Sequence, residues 1–342
     1  GGLSVGQQYN FRVSAVNAIG QGSFTNPITA GIATVPSAPR NTTVTPMSTV
    51  EETGFAFPQM EWDMPLDGAP ITNYIIQFKN TNSSTWQTFD HPVSSDTLAV
   101  VDLGLTNLQN LDLENLTQEQ LDIYSQLYGD MAYDMLSGAV YQFRVAAVNE
   151  VGTGPYSESV EFKLGYTASS CSGLRSLLTG GITKDGYKVD FGSGPVPLPQ
   201  LHILLTEDID CSETVDWSWS GGQGWEPLGD EEFYFAGDFD GRGYKIQDIF
   251  IDRSPDTTQQ TGIFEYTKGA KIYNLELSGG TVKGGGSVGS LAGTIRAGTV
   301  LDNVKSSVNV SGEQIAGGLA GITAQDGNIQ IKNSTYNGTI WS

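Results

Sequence analysis

Two histidines, His91 and His202, are the whole imidazole content of this 342-residue chain, and Cys171 and Cys211 are its only thiols. Imidazole is the usual base beside a nucleophilic serine or cysteine and the commonest transition-metal ligand. So small a number removes most hydrolase triads and most metal centres. His91 lies in the turn-like D-H-P and His202 in the alternating L-H-I-L-L, 111 residues apart, and H-E-x-x-H does not occur. Two short stretches imitate catalytic motifs. G-G-G-S-V-G at 284–289 fits G-x-G-x-x-G, and residues 285–289 fit G-x-S-x-G. Both motifs require a helix to follow. The residues that follow, S-L-A-G-T-I-R-A-G, read as strand and turn, so these glycines are assigned to corners of positive φ.

Three groups of side chains remain as candidate sites. Asp238, Asp240 and Gly241 resemble the start of a calcium loop, but the third ligand and the closing bidentate Glu are missing. Turn-capping aspartates, or a calcium site completed by Asp230, Glu231 or Glu232, are the two readings. Trp217 and Trp219 share one strand face in V-D-W-S-W-S-G-G-Q-G-W-E-P-L-G. They suit packing against the fold or stacking on sugar rings as a glycan-binding platform. The N-x-S/T sequons at Asn41, Asn82, Asn115, Asn309, Asn333 and Asn337 are candidate N-glycosylation positions of a secreted surface. Carboxylates are plentiful, but no spacing marks an acid/base pair of the glycosidase kind.

The chain that positions these groups is strongly acidic. It has 38 acidic and 17 basic residues, a net charge of −21, and the bias comes from scarce Lys and Arg. Phosphate binding needs clustered cations, and anionic bilayers need a basic patch. Neither nucleic acid nor a membrane surface is therefore an expected partner. No apolar run approaches 18 residues, so no membrane insertion is expected in this segment. The first residues, G-G-L-S-V-G-Q-Q-Y-N, lack the basic and apolar regions of a signal peptide. The 43 glycines follow no collagen period and indicate many turns.

An internal repeat organises the first half. Residues 9–25, YNFRVSAVNAIGQGSFT, and residues 141–157, YQFRVAAVNEVGTGPYS, are identical at nine of seventeen positions, at an offset of 132. Each alternates as a strand, turns at glycine and returns as a hairpin. With Trp62, Pro65, Asp67–Gly68, Ile71 and Tyr74 upstream of the second copy (EWDMPLDGAPITNYIIQF), this pattern resembles the fibronectin type III domain. The resemblance implies a seven-stranded, two-sheet sandwich over residues 35–164, with Trp62 in the core and Tyr141 at the tyrosine corner. Residues 1–34 match only the last strand pair of such a domain. The offset also exceeds the family's usual length, and the excess lies at about 104–137. There a T-x-x-Q capping box at Thr117 precedes Leu121, Tyr124, Leu127, Met131 and Met135 at helical spacing. This predicts a helical insertion that packs against protein.

From 165 the pattern changes. I-x-N/D starts recur at Ile246, Ile272, Leu301 and Ile331, offset by 26, 29 and 30, and the blocks GSVGSLAG (286–293) and GEQIAGGLAG (312–321) lie 28 apart. Units of this size with two or three short strands and glycine turns are solenoid units, which bury an apolar face only by stacking. With L-T-E-D-I-D-C, W-E-P-L-G and F-A-G-D-F-D-G-R-G-Y-K-I, residues 165–342 resemble the GLUG-motif family of secreted adhesins. The resemblance implies a right-handed parallel β-solenoid continuing beyond 342, with Trp225 at a core aromatic position. The even cysteine pair, the secreted-looking composition and the family's paired positions together predict a Cys171–Cys211 disulfide. The chain thus reads as all-β: sandwich, then solenoid, an extracellular structural or adhesive segment of a larger surface or fibre protein. Its expected partners are neighbouring domains or subunits of the same assembly, and it is not expected to be an enzyme. A carbohydrate-binding module and a β-helix polysaccharide hydrolase or lyase are the alternatives.

Overall fold

The structure is a computed structural model and describes all residues except 1, 4–7, 32, 49–52, 69, 102–139, 181, 185–201, 218–220, 255, 325–326 and 342. The 104–137 insertion with its expected helix, Asn115 and Trp219 lie outside the described residues. The chain is all-β, with one α-helix and one short 3-10 turn among the described residues. It forms two compact units, Gly1–Thr45 with Gln59–Leu103 and Tyr141–Phe162, and Pro46–Pro58 with Gly104–Val140 and Lys163–Ser342.

The first unit is a fibronectin type III-like sandwich. One sheet holds Arg40–Ser48, Thr53–Asp63 and Leu98–Val100. The other holds Asn73–Asn80, Gln87–Thr88 and Val140–Asn149, with Gly152–Tyr156 and Val160–Lys163 both paired to Val140–Asn149. Alternation buries every second side chain along Asn73–Asn80 and most of Val140–Asn149, where Ala146 is buried as well. Phe143 faces Phe78, Val145 faces Ile76 and Ala147 faces Tyr74 in antiparallel register, and all of these are buried. Trp62, from the opposite sheet, meets the Tyr74 ring edge-on at 5.0 Å.

The internal repeat is a structural repeat. Gln8–Phe11 pairs with Ile28–Gly31, and Val16–Asn17 with Gly20–Gln21. Its local bonds match those 132 residues later. Val13 N donates to Thr25 Oγ1 at 3.1 Å, as Val145 N does to Ser157 Oγ. Asn17 Oδ1 accepts from Ile19 N and Gly20 N at 2.9 and 3.2 Å, as Asn149 Oδ1 does from Val151 N and Gly152 N at 2.9 and 3.1 Å. Arg12 lies 4.2 Å over the Phe24 ring, as Arg144 does over Tyr156. The difference is cover. Phe143 and Val145 are fully buried, whereas Phe11 and Val13 are 45% and 70% exposed.

The second unit is a parallel β-solenoid. Asp238–Asp240, Lys271–Tyr273, Val300–Asp302 and Gln330–Lys332 stack in parallel on one face, preceded by His202–Leu205 and Tyr166–Ala168. A second face stacks Ile209–Asp210, Lys245–Gln247, Glu276–Ser278, Lys305–Ser306 and Thr335–Tyr336. Further faces stack Phe250–Arg253 with Thr281–Gly284 and Asn309–Gly312, and Phe264–Thr267 with Ala292–Ile295 and Ala320–Thr323. A coil therefore holds four or five short strands, more than the two or three expected. The repeat phase is also corrected at one point. Ile246 stacks on Ile209 and Leu277, not on Ile272, whose column is Phe239, Leu301 and Ile331.

The 28-residue spacing holds, since Ser287 pairs with Ile315 and Ala292 with Ala320. The G-G-G-S-V-G glycines, however, do not sit at positive φ. A Cβ on Gly289 would lie 2.5 Å from Ala320 Cα of the next coil, so close approach is what excludes a side chain there. Positive φ is used elsewhere, as at Gly280 (φ +76°).

Candidate functional site

Cys171, Cys211, Trp217, Asp238 and Asp240, all singled out by sequence, lie in the first coils of the solenoid. The helix Cys171–Gly180 opens it. Ser170 Oγ caps this helix by accepting from Gly173 N at 3.0 Å. Cys171, Leu174 and Leu178 form one helical stripe, and all three are buried at the head of the apolar core. Cys171 is disulfide-bonded to Cys211 just after the strand Ile209–Asp210, with Cα atoms 5.1 Å apart and a sequence separation of 40. The bond predicted from the resemblance is present and closes the first coil onto its helical lid.

Trp225 is the largest fully buried side chain of the chain's core. Its Nε1 donates to Ile263 O at 3.1 Å. Trp217 stacks on it at 5.9 Å between ring centroids and 22° between planes, packed against the same core. One face of Trp217 is thus occupied by another aromatic ring. Arg253 holds the excursion down from below. It shares the inward parity of Ile251 in Phe250–Arg253, is buried, and donates from Nη2 to Trp225 O at 3.2 Å and from Nη1 to Gln223 Oε1. Burial lowers its pKa despite the nearby Glu226, Asp252 and Glu265 carboxylates. Arg253 was not singled out by sequence. The signal was there: an arginine two residues after a core isoleucine on an alternating strand.

Asp238 and Asp240 lie on the outer side of the first face, flanking the inward Phe239. Asp238 is fully buried and ion-paired through Oδ2 with Lys163 Nζ. His202 stands opposite Asp238 in the parallel register and is also buried. Burial first, and the Lys163 charge second, push its pKa down to about 3, so the imidazole is neutral. Asp240 is held differently. Its Oδ1 accepts from Arg242 N at 2.9 Å and from Asn274 Nδ2 at 3.2 Å. Tyr273 stands opposite Asp240, and burial with both carboxylates raises its pKa, keeping the phenol protonated. One carboxylate is thus engaged by an ammonium and the other by amide donors. This arrangement binds strands together. Among the described residues, no group of three or more His, Cys, Asp or Glu side chains is disposed to hold a metal ion.

From Asp240 a line of amides runs along the solenoid. Asn303 Nδ2 donates to Asn274 Oδ1 at 3.0 Å, and Asn333 Nδ2 to Asp302 Oδ1 at 2.8 Å. Asn274, Asn303 and Asn333 all sit in the left-handed region, at φ 52°, 54° and 49°. The N of each I-x-N start is therefore a corner residue, since asparagine tolerates this conformation better than other non-glycine residues.

No family model matches the chain. Halomucin of Haloquadratum walsbyi is 33% identical over 169 residues, 46% of this chain and 2% of halomucin. Human myomesin-2 is 29% identical over 170 residues, 47% of this chain and 9% of myomesin-2. The chain thus spans a small fraction of the length of the curated relatives it matches. Among solved structures, the FN1–FN3 domains of chicken CNTN1 align with 47% of this chain and 43% of that one, at 16% identity and a TM-score of 0.25. The fold described above rests on its own strand pairing, independent of that score.

The sequons fall in distinct settings. Asn82 lies exposed in a turn, its own N–H donating to Asn80 Oδ1 at 2.8 Å. Asn337 is exposed, and Asn309 is half-buried with Oδ1 accepting from Thr339 N at 3.3 Å. Asn41 and Asn333 are exposed residues whose Nδ2 atoms are bonded to Asp63 and Asp302, at 2.7 and 2.8 Å.

Proposed function

We propose that this chain is an extracellular structural segment of a larger cell-surface protein, acting as spacer and presentation scaffold. In this reading residues 1–34 are the closing strand pair of one fibronectin type III domain. Residues 35–164 are a second such domain with its insertion, and residues 165–342 are a GLUG-type solenoid. The observation that carries the reading is how the reactive-looking side chains of the first coils are used. Asp238 is tied to Lys163, Asp240 to Asn274 and Trp217 to Trp225. Each is committed to holding a coil, as expected of a scaffold and not of a site of turnover. The disulfide fits an oxidising, extracellular setting, and likeness to halomucin fits a surface protein. Its partners are neighbouring domains or subunits of the same assembly.

Protease treatment of intact cells bearing the full-length protein tests the location. Cleavage within this segment supports surface exposure, and complete protection until lysis overturns it. A second reading, a carbohydrate-binding module, draws on Trp217, which is half-buried at the surface of the core. Glycan-array binding that is lost in Trp219→Ala would favour it over the scaffold. Release of sugar from acidic polysaccharides would instead favour a solenoid hydrolase or lyase.

A further inference from the structure

We propose that Lys163 and Asp238 condense to an intramolecular isopeptide bond, a covalent cross-link within the second unit that ties its entry segment at Lys163 to the first face of the solenoid. Four observations lead there. Lys163 Nζ is in direct contact with Asp238 Oδ2. The Asp238 side chain is 1% exposed, so water is excluded from its carbon. Its other oxygen, Oδ1, is buried with no hydrogen-bond partner among the described residues. His202, a buried neutral imidazole, stands in register with Asp238 on one side; on the next coil Lys271 is in register with it, and Tyr273, opposite Asp240, is a phenol that stays protonated.

An ionised carboxylate with one buried, unpaired oxygen is a costly arrangement. Transfer of the ammonium proton to the carboxylate gives a neutral amine against a neutral acid, the pair that can condense. The Nζ lone pair then attacks Asp238 Cγ. An N–C bond forms, the C–O bond to the hydroxyl breaks, and the hydroxyl leaves with a nitrogen proton as water. Nothing is oxidised or reduced, and no co-reactant is needed. The product has no charge, and a single carbonyl oxygen replaces the two carboxylate oxygens. The cross-link spans 75 residues and encloses the 40-residue disulfide loop, so two nested closures secure the entry to the solenoid.

Intact mass under denaturing, reducing conditions tests this in the full chain. The expected result is a mass about 18 Da below that of the sequence, the mass of one water. Proteolysis should then yield a branched peptide joining the segments that carry Lys163 and Asp238. Asp238→Ala and Lys163→Arg should each return to the full mass of their sequences. Asp238→Asn should lose about 17 Da instead, as ammonia leaves. A folded wild-type chain at its full sequence mass would reduce the contact to an ion pair and overturn the proposal. So would an 18-Da deficit that persists in Lys163→Arg, which would place the lost water elsewhere, for example in a succinimide at an Asp–Gly step such as Asp67–Gly68.

Discussion

Replacing Asn303 separates the two roles of the amide line, because the side chain and the backbone can be removed independently. Asn303 sits at φ 54° and bonds Asn274 Oδ1 at 3.0 Å. Asn303→Ala loses that hydrogen bond, at about 0.5–1.5 kcal/mol, and keeps a Cβ in the left-handed region without the local polar contacts by which asparagine tolerates it. Its cost is therefore above about 1 kcal/mol. Asn303→Gly loses the same bond, but its backbone is at ease there, so its cost is about 1 kcal/mol. Alanine should therefore be worse than glycine, the reverse of the usual order within strands, where glycine is the poorer residue. The chain has two units, so a single global midpoint does not isolate the effect. Native-state hydrogen exchange of peptides covering residues 292–312 does, because it reads opening of the affected coils. Equal protection in the two variants, or better protection in alanine, would show that the corner does not hold its left-handed conformation, and the account of I-x-N would fail.

Reducing Cys171–Cys211 removes a 40-residue closure, which the chain-entropy relation values at about 4 kcal/mol. The solenoid, but not the sandwich, should melt earlier in reductant, as read by exchange in each unit. Glu265 has its pKa raised to about 7, first by burial and then by the Asp230, Asp256 and Glu226 charges, against the Gln259 hydrogen bond. The folded state therefore holds this proton more tightly than the unfolded chain. The stability that Glu265 contributes is full below about pH 4.5 and declines as pH rises toward 7. The denaturant midpoint of the solenoid, read by exchange of its own peptides, should fall less steeply across that range in Glu265→Gln. Gly289→Ala should cost about 1–3 kcal/mol from forced displacement of the neighbouring coil, because its Cβ would meet Ala292 O and Ala320 Cα at 2.4 and 2.5 Å. Full protection of the 286–293 segment in that variant would contradict the close-packing account.

The sandwich was legible because its strands alternate and its hairpin occurs twice. Tyr141, Phe143 and Val145 lie on one face in the pattern and in the fold. The solenoid was legible as a repeat but not in phase. Coils present an isoleucine or leucine on more than one face, so Ile246 and Ile272 look equivalent in sequence while occupying different columns. The helix Cys171–Gly180 escaped notice because it is short, contains Gly173, and shows its apolar stripe only once Cys171 counts as a core residue. The Lys163–Asp238 pair could not be read at all. It joins positions 75 apart that share neither motif nor period, and only the folded chain brings them together.

The coil register also fixes how much reach the solenoid provides. Successive positions in one column, Ile272, Leu301 and Ile331, are 29 and 30 residues apart, and each step along the stack advances only about 4.8 Å. That is about 0.2 Å of length per residue, against about 3.3 Å for an extended strand. As a means of gaining distance the solenoid is poor. What it offers is broad, stiff flank area, with about one new strand on each face for every 4.8 Å. Under tension the same numbers act in reverse. A single coil pulled free would release about 90 Å of slack, so the solenoid yields in large steps. The disulfide and the Lys163–Asp238 contact lie at its first coils, so any pull transmitted through residue 163 meets cross-linked coils before it meets the ones that can unravel.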